Sequence, residues 1–358
     1  MSGSTQDVVD MATRGLDLSG NALPSFDAPI SEPSGVSPLR RPGSVRRTMT
    51  IDATWPGGGQ GVGRFTGVCR DVFTDLSGGA PQEIEKASIE VMVRDRLLEQ
   101  ASCVPAHPAI GQLVGARAGG QSRSVIGAAL PEEKRRAAPL YLLLDDLAGA
   151  SLVAQWAWAL NSPIWEHLGE EERKAKRAGM VGVCMGLRPG SDAMGPDGVP
   201  MDGRNTSEVG PLINPHDPDG WHPLQEYDEL NFRRARRIDV WREGDVLHIN
   251  SFFQDSACEP GMKNRLAVHE YLIEATVDWH SGCLLDISAR PGTLPYADCR
   301  AAPVNLTHLI GEPLAGFREK VLLTLPRTAG CTHLNDMMRA LAEVPALAEH
   351  LPQDRNVG

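Results

Sequence analysis

The sequence predicts an α+β fold in which a unit of antiparallel strands with packed helices occurs twice in tandem. In each half, segments whose apolar residues alternate come first, and segments with helical apolar spacing follow them. Short residue matches also recur in the same order in both halves, which indicates an internal duplication. Because a sheet with helices on one face is a stable two-layer arrangement, the two units are expected to pair about a pseudo-twofold axis.

The expected organisation has four parts. Residues 1–45, rich in Ser, Pro, Gly and Asp, are predicted to form a disordered arm. Residues 46–160 form the first repeat, which is expected to be structural. Residues 161–232, dense in Gly, Pro, Asp and Asn, form a connecting segment. Residues 233–351 form the second repeat and are expected to carry a site.

Alternation and helical spacing place the elements of each repeat. Strands are predicted in the first repeat at Arg46–Trp55, Arg64–Phe73 and Ile84–Arg94, and helices at Ile110–Leu130 and Leu140–Trp158. Strands are predicted in the second repeat at Ile238–Trp241, Val246–Phe253, Val268–Asp278 and Cys283–Ala289, and helices at Val304–Ile310, Phe317–Leu325 and Thr332–Ala342. The connecting segment carries a charged, exposed helix at Glu166–Arg177. The Leu140–Trp158 helix is apolar on all sides, which is typical of a core helix.

The matched residues include basic pairs and cysteines. Arg46-Arg47 with Ile51-Asp52 recurs as Arg233-Arg234 with Ile238-Asp239; Phe73-Thr74-Asp75 recurs as Phe253-Gln254-Asp255; and Cys103 recurs as Cys299. We interpret the basic runs as solvated strand ends and Asp255 as a turn or strand-end residue. Chance similarity between two ordinary α+β stretches is the alternative to duplication.

Composition excludes several classes of function. The formal net charge of −11 argues against binding to nucleic acid or to an anionic membrane, both of which favour a basic surface. No apolar run is long enough for a membrane span, and no secretory signal is evident. The number of cysteines, 7, is odd, and without a secretory signal we expect reduced thiols in the cytoplasm. The absence of a C-x-x-C pair excludes a zinc ribbon or thioredoxin motif.

The stretch Gly330–Asp336 places a thiol, an imidazole and a carboxylate together at the predicted start of a helix. A helix N-terminus lowers the pKa of a thiol, which suits Cys331 for nucleophilic or acid–base chemistry beside His333. Thiolate and imidazole are also good ligands for zinc or iron. The alternative is structural: Cys331 is a small core residue, and Thr332 caps the helix.

Four further candidates lie upstream. His269 and Glu270 are neighbours in a strand, so their side chains point to opposite faces and only one can face the site. Cys299 is either a partner of Cys331 or, like Cys103, structural. Tyr296 supplies a phenol at a pocket rim or packs as a core ring. The loop Asn214–His222 either lids a pocket or is shaped by Asx turns alone.

Three elements of the second repeat occur together: His269-Glu270, Pro295-Tyr296-Ala297-Asp298-Cys299, and Cys331-Thr332-His333-Leu334. In this combination the repeat resembles an uncharacterised bacterial domain-of-unknown-function family, and the first repeat resembles the N-terminal extension of its longer members. More distantly, the series Glu270, Ile273–Asp278, Cys299, Leu309-Ile310-Gly311 and Cys331 is similar to the NifU-type iron–sulfur scaffold fold. That likeness implies a NifU-N-like fold and a metal site, although His269 stands where the scaffold has its first cysteine.

Two functions follow as hypotheses. The first is a small-molecule enzyme without an organic cofactor, a lyase or hydrolase acting on a hydrophobic metabolite in a pocket of the second repeat. Its catalytic groups are Cys331, His333, Glu270, His269 and Tyr296. The second is a metal-binding or scaffold protein whose zinc or iron ligands are Cys299, Cys331, His333 and Glu270. The expected partner is a small-molecule substrate, and a homodimer is left open.

Overall fold

The computed structural model describes residues 5–58, 61–160, 169–201 and 204–352. The fold is mixed α+β and is built on one antiparallel sheet of nine strands. The strands are β1 (Ser44–Thr54), β2 (Gly63–Thr74), β3 (Gln82–Arg94), β4 (Leu97–Val104), β5 (Ser207–Val209), β6 (Asn231–Glu243), β7 (Val246–Cys258), β8 (Arg265–Asp278) and β9 (Leu284–Thr293). Their order is β4-β3-β2-β1-β6-β7-β8, and β5 and β9 both pair with the outer edge of β8.

Helices follow the strands in each half. The α-helices are α1 (Thr5–Thr13), α2 (Ser122–Ala129), α3 (Pro131–Arg135), α4 (Pro139–Val153), α5 (Glu170–Ala178), α6 (Phe317–Thr324), α7 (Thr332–Ala340) and α8 (Val344–Ala348). The 3-10 helices are Ile110–Leu113, Ala154–Leu160, Met185–Leu187, Pro218–Gly220, Ala297–Leu309, Leu314–Gly316, Arg327–Ala329 and Leu341–Glu343. No helix in the described ranges has the length and apolarity that a bilayer span requires.

The sheet is continuous across both predicted repeats because β1 pairs with β6 at its centre. This register sets Arg46 opposite Asp239 and, symmetrically, Asp52 opposite Arg233. The symmetry is what a pseudo-twofold axis between two related units would produce. The duplication itself stays a prediction, and so do the boundaries of the predicted parts.

Different material covers the two faces of the sheet. On one face α4 packs against β1, β2 and β3, while α7 packs against β7 and α8 against β1 and β6. The chain before β1 and the segment before β6 cover the opposite face. There His222 lies between the hydroxyls of Thr48 and Thr50, 2.9 Å from each.

The described part of the N-terminal arm is held to the sheet, in contrast to the predicted disorder. The amide of Glu32 donates to the carbonyl of Gly292 at 2.6 Å, and that of Leu294 donates to Ile30 at 3.1 Å. Arg40 also binds Asp217 through its guanidinium at 2.8 Å. These bonds join segments far apart in the chain, so the local composition of the arm does not reveal them.

The basic runs are buried at the centre of the sheet and are not solvated strand ends as expected. Arg46, Arg47, Arg234, Arg236 and Arg237 are each at most 2% exposed. Each lies beside a carboxylate supplied by another strand or helix, or two residues along its own strand. A buried guanidinium is stable only with such a partner. Apolar periodicity contains no information on these pairings.

Most predicted elements correspond to observed ones, with shifted ends. The Ile110–Leu130 segment is divided into the 3-10 helix Ile110–Leu113 and α2, and the core helix is α4 followed by Ala154–Leu160. Strand β4 has no predicted counterpart. Residues 161–168, which include the start of the predicted Glu166–Arg177 helix, lie outside the described residues.

Candidate metal centre

Three polar side chains from distant segments meet on the helix-covered face of the sheet. Asp255 of β7 stands opposite His269 of β8 in the strand register, so both side chains project from the same face. His333 comes from the first turn of α7, the helix that packs against β7. One ligand atom from each of the three lies within 4.8 Å of the others, and no other group of this kind occurs in the described ranges.

The two imidazoles share one carboxylate oxygen. Asp255 Oδ2 lies 3.5 Å from His269 Nδ1 and 3.7 Å from His333 Nε2. The imidazole rings are stacked, with 3.5 Å between centroids and 20° between planes. Asp255 is 0% exposed and His269 is 6% exposed. The arrangement is therefore a buried cluster of two imidazoles and a carboxylate.

Burial and neighbouring charges fix the protonation of the cluster. Burial lowers the pKa of His269, and Asp255 only partly opposes it. Burial lowers the pKa of His333 well below its ordinary value, and the adjacent His269 lowers it further. Burial alone would raise the pKa of Asp255, but Arg234 and His269 outweigh it and hold that pKa below its usual range. At neutral pH the cluster thus holds two neutral imidazoles and one carboxylate.

Arg234 orients the carboxylate. Its Nε and Nη2 donate to Asp255 Oδ1 and Oδ2 at 2.8 and 2.9 Å. Its Nη1 lies 3.5 Å from Asp336 Oδ2 and 3.9 Å from Asp146 Oδ1. Because Asp146 lies on α4, the first half of the chain contributes a charge to the surroundings of the cluster.

Cys331 lies at the edge of the cluster. It is the N-cap residue of α7, and its Sγ is 3.9 Å from His333 Nδ1. Thr332, the alternative cap in the sequence interpretation, is the first residue inside the helix. Cys331 is 4% exposed, and burial raises the pKa of its thiol. The thiol therefore stays protonated at neutral pH, despite its position at a helix N-terminus.

Cys299 and Tyr296 lie in the same region without joining the cluster. Cys299 is buried against Gly186, where there is no room for a Cβ. Its carbonyl accepts a bond from the Tyr271 hydroxyl at 3.5 Å. Burial raises the pKa of Tyr296, and the guanidinium of Arg204 opposes that shift. Cys299 thus occupies a packed structural position, and Tyr296 borders a cation.

Glu270 is separated from the other candidates by the sheet itself. Its neighbour His269 projects toward the helices, so Glu270 projects toward the N-terminal arm. There its carboxylate accepts bonds from the Ser34 amide at 2.6 Å and from Gln254 at 2.8 Å. The set of Cys299, Cys331, His333 and Glu270 therefore does not form one ligand sphere. Sequence alternation showed that one of the two neighbours faces the site, and the structure selects His269.

Asp255 is the site residue that sequence reasoning missed. The sequence match paired it with Asp75, a half-buried residue directly after β2 that accepts a bond from the Ser77 hydroxyl. The register instead relates Asp255, which faces Arg234, to Asp71, which faces Arg47. The available signal was an acid in the strand that follows each basic pair, and the different lengths of the β1–β2 and β6–β7 connections obscured it.

The Asn214–His222 loop packs on the opposite face of the sheet, where its side chains bind structural partners. His222 is 0% exposed, and Asp217 binds Arg40. Trp221 Nε1 donates to the Ser37 hydroxyl at 2.7 Å. Two clefts of about 440 and 380 Å³ lie elsewhere, one beside Trp279 and Pro313, the other beside Trp55 and Trp158. Neither is lined by the three cluster residues.

Comparison with known proteins identifies one domain. Residues 232–347 match a family described as "Protein of unknown function (DUF2889)". This confirms the resemblance of the second repeat to a domain-of-unknown-function family, whereas the NifU-type likeness is not shown. No curated protein and no solved structure matches the chain. Asp255, His269 and His333 all lie within the matched residues.

Proposed function

We propose that Asp255, His269 and His333 bind a divalent transition-metal ion and that this centre serves a small-molecule enzyme of the hydrolase or lyase class. The observation that carries the proposal is the convergence of two neutral imidazoles on one buried carboxylate oxygen. The sequence interpretation included two of these residues, and Asp255 replaces Glu270 as the carboxylate ligand.

The strongest support is a poorly satisfied nitrogen. His269 Nδ1 is buried, and its contact with Asp255 Oδ2 is 3.5 Å long, at the outer limit of hydrogen-bond distance, so Asp255 is a weak partner for it. A buried polar atom without a partner costs about 1–3 kcal/mol. Coordination of an ion between the imidazoles and the carboxylate would satisfy this nitrogen. Because the two rings are stacked, with 3.5 Å between centroids and 20° between planes, the imidazoles would have to turn so that both in-plane lone pairs point at one ion.

The donor set indicates the metal. Two imidazoles and one carboxylate suit zinc or non-haem iron(II), and such sites keep open positions for water or substrate. A bound ion of this kind acts as a Lewis acid and lowers the pKa of coordinated water. Arg234 would hold the carboxylate in place, and Cys331 stands where the outer nitrogen of His333 needs a partner. Three protein ligands thus favour a catalytic centre over a closed structural one.

The same region also contains the groups of a nucleophilic triad. Cys331, His333 and Asp255 follow one another as thiol, imidazole and carboxylate, the order of a nucleophilic triad. Such a triad requires an accessible thiolate. Burial keeps the Cys331 thiol protonated and out of solvent, so the geometry favours metal binding.

Metal analysis tests the proposal directly. The protein is purified without added metal, dialysed against zinc or iron(II), and its bound metal is measured by mass spectrometry. We expect about one ion per chain, and at least a tenfold loss of affinity in Asp255→Asn, His269→Ala and His333→Ala, since each removes one of three ligands.

Two variants serve as controls. His280→Ala removes an exposed histidine whose side chain is 69% accessible, and Glu270→Gln changes the buried acid on the opposite face. Both should bind metal as the unmodified chain does. Equal metal content in all five variants would overturn the proposal, and retention in His280→Ala with loss in Glu270→Gln would move the site to the other face.

A further inference from the structure

Arg204, which has no carboxylate partner among the described residues, borders the candidate metal centre. Its neighbour Asn205 is anchored by two bonds: the Asn205 amide donates to the Pro295 carbonyl at 3.2 Å, and Asn205 Nδ2 donates to the Leu294 carbonyl at 3.0 Å. Arg204 is therefore held beside Tyr296. Thr293 of β9 stands opposite Glu270 of β8. Leu294, the next residue, therefore lies close to His269, which is the neighbour of Glu270.

Arg204 differs from the other arginines around the site. Arg234 and Arg236 are buried and bind aspartates at 2.8 and 2.7 Å. Arg204 is half-buried and forms no ion pair within the described ranges, where its guanidinium contacts the sulfur of Met180 at 3.8 Å. Its positive charge acts on both His269 and Tyr296.

Two acids close to Tyr296 are already engaged. Asp192 accepts bonds from the amides of Ala297 and Asp298 at 2.7 and 3.0 Å. Asp298 pairs with Arg188 at 3.1 Å. The half-buried guanidinium of Arg204, beside the histidine cluster and the Tyr296 phenol, forms no ion pair in the described part of the chain, so a negatively charged ligand is the missing partner.

We infer that the ligand of this centre is a small-molecule carboxylate that Arg204 binds, with the Tyr296 phenol as a second polar contact. The inference rests on the proposed metal centre and adds the chemical class of its ligand. The guanidinium forms a bidentate pair with a carboxylate, while the rest of the ligand extends toward the open positions of the ion. Arg204 is thus assigned to ligand recognition, and Asp255, His269 and His333 to the metal.

The test uses the full-length chain loaded with cobalt(II), whose visible absorption reports its ligand sphere. Benzoate is titrated as the probe, and benzamide serves as its neutral counterpart. We expect saturable spectral change with benzoate only. We also expect a rise of about tenfold or more in its dissociation constant in Arg204→Gln, partial recovery in Arg204→Lys, and no change in Arg290→Gln, an exposed arginine of β9.

Each outcome decides one point. Cobalt binding with equal benzoate affinity in Arg204→Gln and the unmodified chain overturns the inference while the metal centre stands. Equal binding of benzamide and benzoate also overturns it, because charge would then play no part. Failure of cobalt to bind overturns the proposed function and the inference with it. Loss of benzoate binding in Arg204→Gln at unchanged cobalt content supports both.

Discussion

Two arginine–aspartate pairs occupy corresponding positions in the two halves of the sheet. In the first half, Nε and Nη2 of Arg47 in β1 donate to Oδ1 and Oδ2 of Asp71 in β2, at 2.6 and 2.5 Å. In the second half, Arg234 of β6 binds Asp255 of β7 in the same manner, at 2.8 and 2.9 Å. Both pairs face the helices and are buried.

Their surroundings differ in the next strand and in the helix layer. Asp71 stands opposite Glu85, which is half-exposed and binds Arg136, whereas Asp255 stands opposite His269. The helix layer contributes Glu343 to Arg47 and His333 to Asp255. A buried arginine–aspartate pair, which we call the frame, is therefore common to both halves: Arg47–Asp71 in the first and Arg234–Asp255 in the second. Only the second-half frame lies beside two histidines, and these histidines complete the candidate site.

Removal of the first-half carboxylate is the largest expected perturbation. Asp71→Ala leaves Arg47 fully buried with Glu343 as its remaining carboxylate, so the free energy of unfolding should fall by about 3–5 kcal/mol. Urea denaturation measures the loss. Metal content should be unchanged at a temperature where the variant is folded. A loss below about 1 kcal/mol would show that the frame is not structural.

Metal binding beside the second-half pair, Arg234 and Asp255, should raise the free energy of unfolding. At a free zinc concentration of about 100 times the dissociation constant, binding should add about 2.7 kcal/mol to the free energy of unfolding. Asp255→Asn and His333→Ala should lose this gain, and His280→Ala should keep it. Thermal unfolding with and without zinc measures it, and equal stabilisation of every variant would point to non-specific binding.

His222 provides a buried histidine without an acid partner in the described structure, on the opposite face. Burial lowers its pKa to about 3. Between pH 3 and about 6.5 the unfolded chain binds a proton that the folded chain does not, so stability falls as the pH falls. The contribution of one such group is about 1.4 kcal/mol per pH unit.

The slope of unfolding free energy against pH should therefore be shallower by that amount in His222→Gln. Urea denaturation from pH 6 to pH 4 measures it, with His280→Gln as the exposed control. Parallel slopes in the two variants would mean that His222 is protonated in the folded protein.

An exposed pair on the same sheet gives the smallest effect. Arg64 binds Glu90 at 2.8 Å, and both side chains are 47% exposed. Glu90→Ala should change the free energy of unfolding by at most about 1 kcal/mol, since solvent screens the pair. If urea denaturation showed a larger loss in the free energy of unfolding, exposed ion pairs would contribute as much to stability as the buried ones.

Local patterns predicted much of this fold. Alternation located β1, β2, β3 and most strands of the second half, because apolar side chains concentrate on one face of these strands, even in β1, where both faces are buried. Burial of the arginine runs was not predictable, since the acids that neutralise them lie up to 296 residues away in the chain. Sequence alone likewise left open whether His269 or Glu270 faces the helices.

The candidate site was predicted in part. Cys331-Thr332-His333 indicated its position, and His333 is a member of the cluster. Asp255 was missed because the connection from β1 to β2 is longer than that from β6 to β7, so that Arg47 and Asp71 are 24 residues apart whereas Arg234 and Asp255 are 21 apart. A gap-free match between the halves therefore does not align the two acids. Carboxylates in strands acquire their role from the strand opposite, and that neighbour is not contiguous in sequence.

The pairing of β1 with β6 has a consequence for fragments of this protein. A polypeptide cut to residues 232–347 would present β6 as a bare sheet edge and leave Arg236 without Asp146 of α4. We therefore expect a fragment of residues 232–347 to aggregate through its unpaired strand edge and to be destabilised by its unpaired buried arginine. The smallest segment of this chain that folds on its own is accordingly expected to extend beyond residues 232–347.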